Sequence, residues 1–181
     1  MGTVVGLDLS LTSSGRCVLD AGWFACSVVG SKGSRSATLA ARGVRLTRLR
    51  NGILAVLDSA APDLVVVEGP AYSTKGGSPL DRYGLWWAVV SVALDLVPVG
   101  VVPPAVVKAY ATGRGNADKV EVALAAERRW GTCAHGLDGP DQADALVLAA
   151  MGAHRLGRPV TKPTAWQEAA LEKAEWPEGI T

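Results

Sequence analysis

This chain is predicted to form an α/β domain with a mixed five-stranded sheet and helices on both faces. Three observations carry that reading. Runs such as Thr3-Val4-Val5-Gly6-Leu7 and Leu64-Val65-Val66-Val67 have the uninterrupted apolar character of buried strands. Longer segments with apolar residues at helical spacing alternate with these runs. The order along the chain is three strands, a helix, a strand, a helix, a strand and then further helices.

The 181 residues suffice for one domain with its own core. Lys and Arg number 18 against 17 Asp and Glu, so bulk charge names no partner and only local patches can. Cys17, Cys26 and Cys133 lack the spacing of a metal site and are expected to be reduced core thiols in a cytoplasmic protein. The first residues lead directly into a strand, so no secretory leader is expected. The most apolar run, residues 83–94, is flanked by Arg82 and Asp95. It is shorter than the ~20 residues a bilayer requires, and no membrane partner is expected.

Residues 3–9 read as the first strand, and 16–19 and 23–29 as the next two strands of a meander. The turn between the first two, Leu9-Ser10-Leu11-Thr12-Ser13-Ser14-Gly15, is rich in hydroxyls. It is either an ordinary hairpin turn or a cradle of backbone N–H groups for a phosphate. Residues 38–60 have helical spacing, with Leu46, Leu49, Ile53, Val56, Leu57 and Ala60 on one face. Arg42, Arg45, Arg48 and Arg50 crowd the first half of this helix, as a solvated face or as a surface for phosphates.

Pro62 ends that helix and leads into the strand that carries Glu68. The Gly- and Ser-rich loop that follows holds Tyr72 and Lys75. An aromatic there can stack on a base or cap the core. Residues 80–96 form a helix that is apolar nearly all round, with Trp86 beside Trp87. Adjacent helical positions diverge by about 100°, so one ring can face the core and the other a partner. Residues 97–102 read as a strand, 105–111 as a short helix bearing Lys108, and 117–130 as a helix bearing Lys119. Arg114 sits in the basic turn between those two helices. Residues 133–139 read as a loop. The domain is expected to span 1–156, with 157–181 a peripheral tail holding one helix at 165–174.

Four acids occupy unusual settings. Asp141 and Asp144 are three apart at the head of a good helix-forming run, which puts both carboxylates on one face. Asp8 and Glu68 each end a core strand beside a small or apolar neighbour. Unpaired carboxylates gathered together repel, and one tends to keep its proton. A cation removes the conflict, and hard oxygen donors suit Mg²⁺ or Mn²⁺. Helix caps and surface charges account for Asp141, which follows Pro140, but leave Asp8 and Glu68 unexplained.

Five motifs in register resemble the RuvC-type Holliday junction resolvases of the ribonuclease H-like fold. They are Val5-Gly6-Leu7-Asp8-Leu9-Ser10-Leu11-Thr12-Ser13-Ser14-Gly15, Val65-Val66-Val67-Glu68-Gly69, Val101-Val102-Pro103-Pro104-Ala105-Val106-Val107-Lys108, Gly115-Asn116-Ala117-Asp118-Lys119-Val120 and Asp141-Gln142-Ala143-Asp144-Ala145-Leu146. The resemblance implies a metal-dependent endonuclease that cuts four-way DNA junctions as a homodimer. It implies that Asp8, Glu68, Asp141 and Asp144 are catalytic and bind Mg²⁺, with Mn²⁺ able to substitute. Lys108 and Lys119 would be functional lysines near the scissile phosphate. Tyr72, Lys75, Arg42, Arg45 and Arg114 would meet DNA, and the helix at 80–96 would make the dimer. Trp86-Trp87 in place of small residues and the C-terminal tail depart from the pattern and suggest a divergent, phage-type member.

Two other readings compete. An actin-like ATP-binding protein shares the strand–Asp–hydroxyl turn, but 181 residues leave no room for its second domain. A catalytically silent branched-DNA-binding relative would not need all four acids.

Overall fold

The computed structural model of the chain describes residues 2–70 and 78–180. Its first strand is β1 (Val4–Asp8), followed by β2 (Ser14–Asp20), β3 (Trp23–Val29), α1 (Leu39–Ala60) and β4 (Leu64–Glu68). Then come α2 (Pro79–Leu96), β5 (Val99–Val102), α3 (Pro104–Thr112) and α4 (Lys119–Trp130). A short 3₁₀ turn (Gly131–Cys133) leads to β6 (Ala134–His135), α5 (Pro140–Arg155) and α6 (Ala165–Leu171). Among the described residues the strands form one sheet in the order β5-β4-β1-β2-β3-β6. β1 runs antiparallel to β2 and parallel to β4, β2 is antiparallel to β3, and β4 is parallel to β5.

The strands β1 and β4 are buried on both faces, which is why they read as continuous apolar runs, whereas β3 is open on one face. Alternation along each strand still sorts the side chains. Val5, Leu7, Val65 and Val67 join the core beneath α1 and α2. Val4, Leu64 and Val66 join the core beneath α5, with α3, α4 and α6 around it. The same parity sends the next residues, Asp8 and Glu68, toward the α5 side. One structural rule of period two thus aims both strand-end acids at one helix.

Helix ends are well specified. Thr38 caps α1 by accepting from the Ala41 N–H at 3.2 Å. Asp118 and Glu121 form a reciprocal capping box at the start of α4. Ser78 caps α2, and its helix begins with Pro79. α5 is the central helix: residues 143–153 are all buried. It lies directly on the sheet because Gly6 and Gly15 present no Cβ. A methyl at Gly6 would strike the backbone of Ala145 and Ala149, and one at Gly15 would strike the Asp141 carbonyl.

Three features depart from the sequence reading. The sheet has six strands, not five, because Ala134 and His135 pair in parallel with β3 inside what reads as a loop. A two-residue strand carries no periodicity to detect. Secondly, Cys17 and Cys26 are joined as a disulfide rather than standing as reduced thiols, and Cys133 is free. The antiparallel register sets Cys17 directly opposite Cys26, with Cα atoms 4.1 Å apart, a proximity that nine residues of separation conceals. Thirdly, the C-terminal segment packs closely. Ala170 and Leu171 belong to the core beneath α5. Glu175 bridges Val101 on the β5 edge, and the Trp176 ring covers Gly100. Among the described residues no helix is long and apolar enough to cross a membrane.

Candidate active site

The carboxyl ends of β1 and β4 and the first turn of α5 meet at one edge of the sheet. Asp8 and Asp144 are buried, while Glu68 and Asp141 are half-buried. Gly15 is the partner of Asp8 across β1 and β2, and the Asp141 backbone rests on it. That stacking draws Asp141, and Asp144 one turn on, over Asp8.

The electrostatics confirm the convergence. Burial pushes the Asp8 carboxyl up to about 6, with Lys119 opposing the rise and Asp141 adding to it. Burial, followed by the charges of Asp8 and Asp144, pushes Glu68 up to about 9. Burial and the Asp8 charge push Asp144 up to about 7. The neighbouring Asp8 charge thus favours the protonated form of Glu68.

Lys119, at the first position of α4, is the cation of the group. Its Nζ donates to Asp141 Oδ1 at 3.0 Å and lies 3.8 Å from Asp144 Oδ2. Burial alone would lower its pKa. The bond to Asp141 and the charges of Asp8, Asp141 and Asp144 outweigh that and raise it. Lys108, half-buried on α3, lies within electrostatic reach of Asp144 and favours its charged form. Asp8, Glu68, Asp141, Asp144 and Lys119 thus act on one another electrostatically, and Lys108 acts on Asp144.

The donor set fits divalent cations: four carboxylates, all hard oxygen ligands, three of them driven toward protonation by burial and mutual repulsion. Among the described residues no three acids, histidines or cysteines converge on a single metal-sized centre. Lys119 instead supplies the positive charge that Asp141 and Asp144 share.

The expected DNA-contact residues fare differently. Tyr72 and Lys75 lie outside the described residues. Arg42 is committed to the buried Asp81 through Nε at 3.0 Å and Nη2 at 2.5 Å, tying α1 to α2. Arg45 Nη2 donates to the carbonyls of Leu11 at 2.6 Å and Ser31 at 2.5 Å, pinning the loop after Asp8. Both still line an open cleft of about 680 Å³ with Thr12, Arg35 and Ser78. Arg114 is exposed and paired with Glu121. The hydroxyl-rich turn does not offer a phosphate cradle. The Ser10 N–H donates to Ser14 Oγ at 2.9 Å, and the N–H groups of Thr12 and Ser13 turn inward to Ser10 Oγ.

One neighbour of the site escaped the sequence reading. Trp86 on α2 donates from Nε1 to the Glu68 carbonyl at 2.9 Å. Its separation of 18 residues from Glu68, across a helix of low amphipathicity, leaves no sequence signal for that contact.

No protein-family model matches the chain. Curated proteins do. The chain is 34% identical over 158 residues to the crossover junction endodeoxyribonuclease RuvC of Frankia alni, spanning 81% of this chain and 75% of that one. It is 30% identical over 155 residues to the RuvC of Paramagnetospirillum magneticum, spanning 85% and 92%. Among solved structures, Thermus thermophilus RuvC in complex with a Holliday junction substrate superposes with a TM-score of 0.67 at 25% identity, covering 98% of this chain and 100% of that one. The sheet order and these likenesses agree: the chain belongs to the RuvC family of crossover junction endodeoxyribonucleases.

Proposed function

We propose that this protein is a divalent-metal-dependent endonuclease that resolves four-way DNA junctions by paired, symmetric phosphodiester hydrolysis. The observation that carries this is the gathering of Asp8, Glu68, Asp141 and Asp144 around Lys119. Asp8, Glu68, Asp141 and Asp144 are the residues that would hold the metal, with Mg²⁺ as the physiological ion and Mn²⁺ as a substitute. When bound, such ions polarise the phosphate, lower the pKa of an attacking water and neutralise the leaving oxygen.

The chain's own residues supply the rest. Asp8, on the strand between Glu68 and the α5 acids, would be the central ligand. Glu68, Asp144 and Asp141 would supply the remaining carboxylate oxygens. Lys119 and Lys108 place ammonium charge beside these carboxylates, where negative charge on the phosphoryl oxygens grows in the transition state. Asp8 and Asp144 are buried, which strengthens the interactions they make, while Lys119 stays open to solvent and to substrate.

Junction recognition would rest on local positive charge. Arg42 and Arg45 line the cleft beside the loop after Asp8, Arg114 is exposed near the head of α4, and Tyr72 and Lys75, outside the described residues, follow Glu68 in the sequence. Affinity should fall steeply with salt. Two copies would pair through α2, whose outer face exposes Leu80, Trp87 and Leu94, and a twofold dimer matches a nearly twofold junction. Residues 1–156 would form the nuclease domain and 157–181 an appendage docked on it. A cytoplasmic location, where the DNA lies, fits this role.

The deciding experiment is cleavage of a synthetic four-way junction and of a matching linear duplex with Mg²⁺, by the native protein and by Asp8→Asn. Paired symmetric nicks on the junction alone, abolished by Asp8→Asn, are expected. Equal cutting of both substrates, or none with Mg²⁺ or Mn²⁺, overturns the reading.

A further inference from the structure

The Glu68–Gly69 peptide is held at both edges. Its carbonyl accepts from Trp86 Nε1 at 2.9 Å, and its N–H, that of Gly69, donates to the Val102 carbonyl at 2.8 Å. A peptide unit is planar, so two hydrogen bonds on opposite edges fix its orientation and with it the ψ angle of Glu68. That angle sets where the Glu68 side chain leaves the backbone. Ladder pairing cannot do this alone, because Glu68–Val102 is the last register pair between β4 and β5.

Trp86 is itself well braced. It packs partly buried against the core beneath α1 and α2. The Trp87 ring meets it edge to face, with centroids 4.9 Å apart and planes at 89°, an arrangement aromatic pairs favour. Trp87 is 61% exposed and borders a largely apolar cavity of about 950 Å³ with Trp86, Val90, Pro103 and Pro104.

We propose that Trp86 is a positioning residue for catalysis, which orients the Glu68 carboxylate by hydrogen-bonding its main-chain carbonyl. This rests on Glu68 being one of the four catalytic acids. The carbonyl at the end of β4 would otherwise turn with the loop that follows it, and the carboxylate would turn too. Small misplacements of a catalytic group are costly, since the reacting geometry tolerates well under 1 Å.

Trp86→Phe removes the donor and keeps an aromatic ring. Trp86→His keeps a donor, because imidazole Nε2 can occupy the place of indole Nε1, but removes the benzo ring. Replacing Trp86 by benzothienylalanine puts sulfur in place of the N–H at nearly unchanged shape, so packing is preserved even if the other variants fold poorly. Each is compared with Glu68→Gln for single-turnover cleavage of a four-way junction, KM for the junction, calorimetric Mn²⁺ affinity and Tm.

The donor-less variants are expected to lose about tenfold in kcat with KM unchanged, to bind Mn²⁺ several-fold more weakly and to keep the native Tm. Trp86→His should recover most of the loss. Native kcat and Mn²⁺ affinity in the benzothienylalanine protein would overturn the proposal, as would a Trp86→His protein less active than Trp86→Phe. If Glu68→Gln itself cuts normally, the catalytic reading of Glu68 fails instead. If Glu68→Gln is dead while the donor-less proteins match the native one, only the role of Trp86 falls.

Discussion

The Asp141 carbonyl rests on the bare Cα of Gly15, and Gly15 is the strand partner of Asp8. This close contact between α5 and β2 brings the helical acids over the strand acid. It also shows why a residue with no side chain stands there.

Gly15→Ala is therefore expected to act on the site without touching a carboxylate. The added methyl must push the first turn of α5 outward. Cleavage should fall by about 10²-fold, and stability by about 1–3 kcal/mol from overpacking. Single-turnover cleavage and urea denaturation check this. A fully active Gly15→Ala protein would mean that α5 can shift without cost to the site.

The metal-free protein should lose stability as pH rises. Asp8, Glu68 and Asp144 have folded-state pKa values raised to about 6, 9 and 7. The folded state thus holds protons that the unfolded chain releases near pH 4. Their contribution is fully present below that value and is lost progressively between about pH 4 and pH 9. Glu68→Gln should remove the last part of this slope and stabilise the chelated protein by about 1–3 kcal/mol at pH 8. Urea titrations in chelator at pH 5, 7 and 9 measure it, and added Mg²⁺ should restore stability at the upper end. A flat native profile would contradict the crowding of these acids.

Lys119→Met leaves Asp141 and Asp144 without their shared cation. A drop in kcat of about 10²–10³-fold is expected from losing a positive charge beside the developing phosphoryl charge. Junction affinity should change by much less, since one phosphate contact at most is lost. Cleavage rates and a binding titration in Ca²⁺ separate the two quantities. Weakened binding with unchanged kcat would assign Lys119 to DNA contact alone.

Arg42 serves two expectations that one variant can part. Removing it strands the buried Asp81, so Arg42→Ala should lower Tm by several degrees, and the further change Asp81→Asn should restore much of that. If Arg42 also meets a phosphate, the slope of log affinity against log salt falls by about 1 in both variants. An unchanged slope with a lowered Tm makes Arg42 structural only.

The disulfide has a direct readout. Denatured, unreduced protein should titrate one thiol, from Cys133, and three after reduction, the full count in the chain. Three thiols before reduction would show that Cys17 and Cys26 are not joined.

Local pattern was enough for much of this protein. Buried strands announce themselves through uninterrupted Val and Leu, and α1 through its spaced Leu and Ile, because burial of an element is written into its own residues. The acids were legible for the converse reason: Asp8 and Glu68 break apolar runs where a charge is costly, and Asp141 and Asp144 share a helix face by arithmetic of spacing. What spacing could not reveal depended on partners distant along the chain. β6 is a strand only because β3 lies beside it, Cys17 meets Cys26 only through hairpin register, and Arg42 finds Asp81 only because α1 packs on α2. Trp86 is the clearest case. An indole N–H and a main-chain carbonyl carry no mutual signal in sequence, since every residue owns such a carbonyl. Only the packing of α2 against the end of β4 decided which one it would hold.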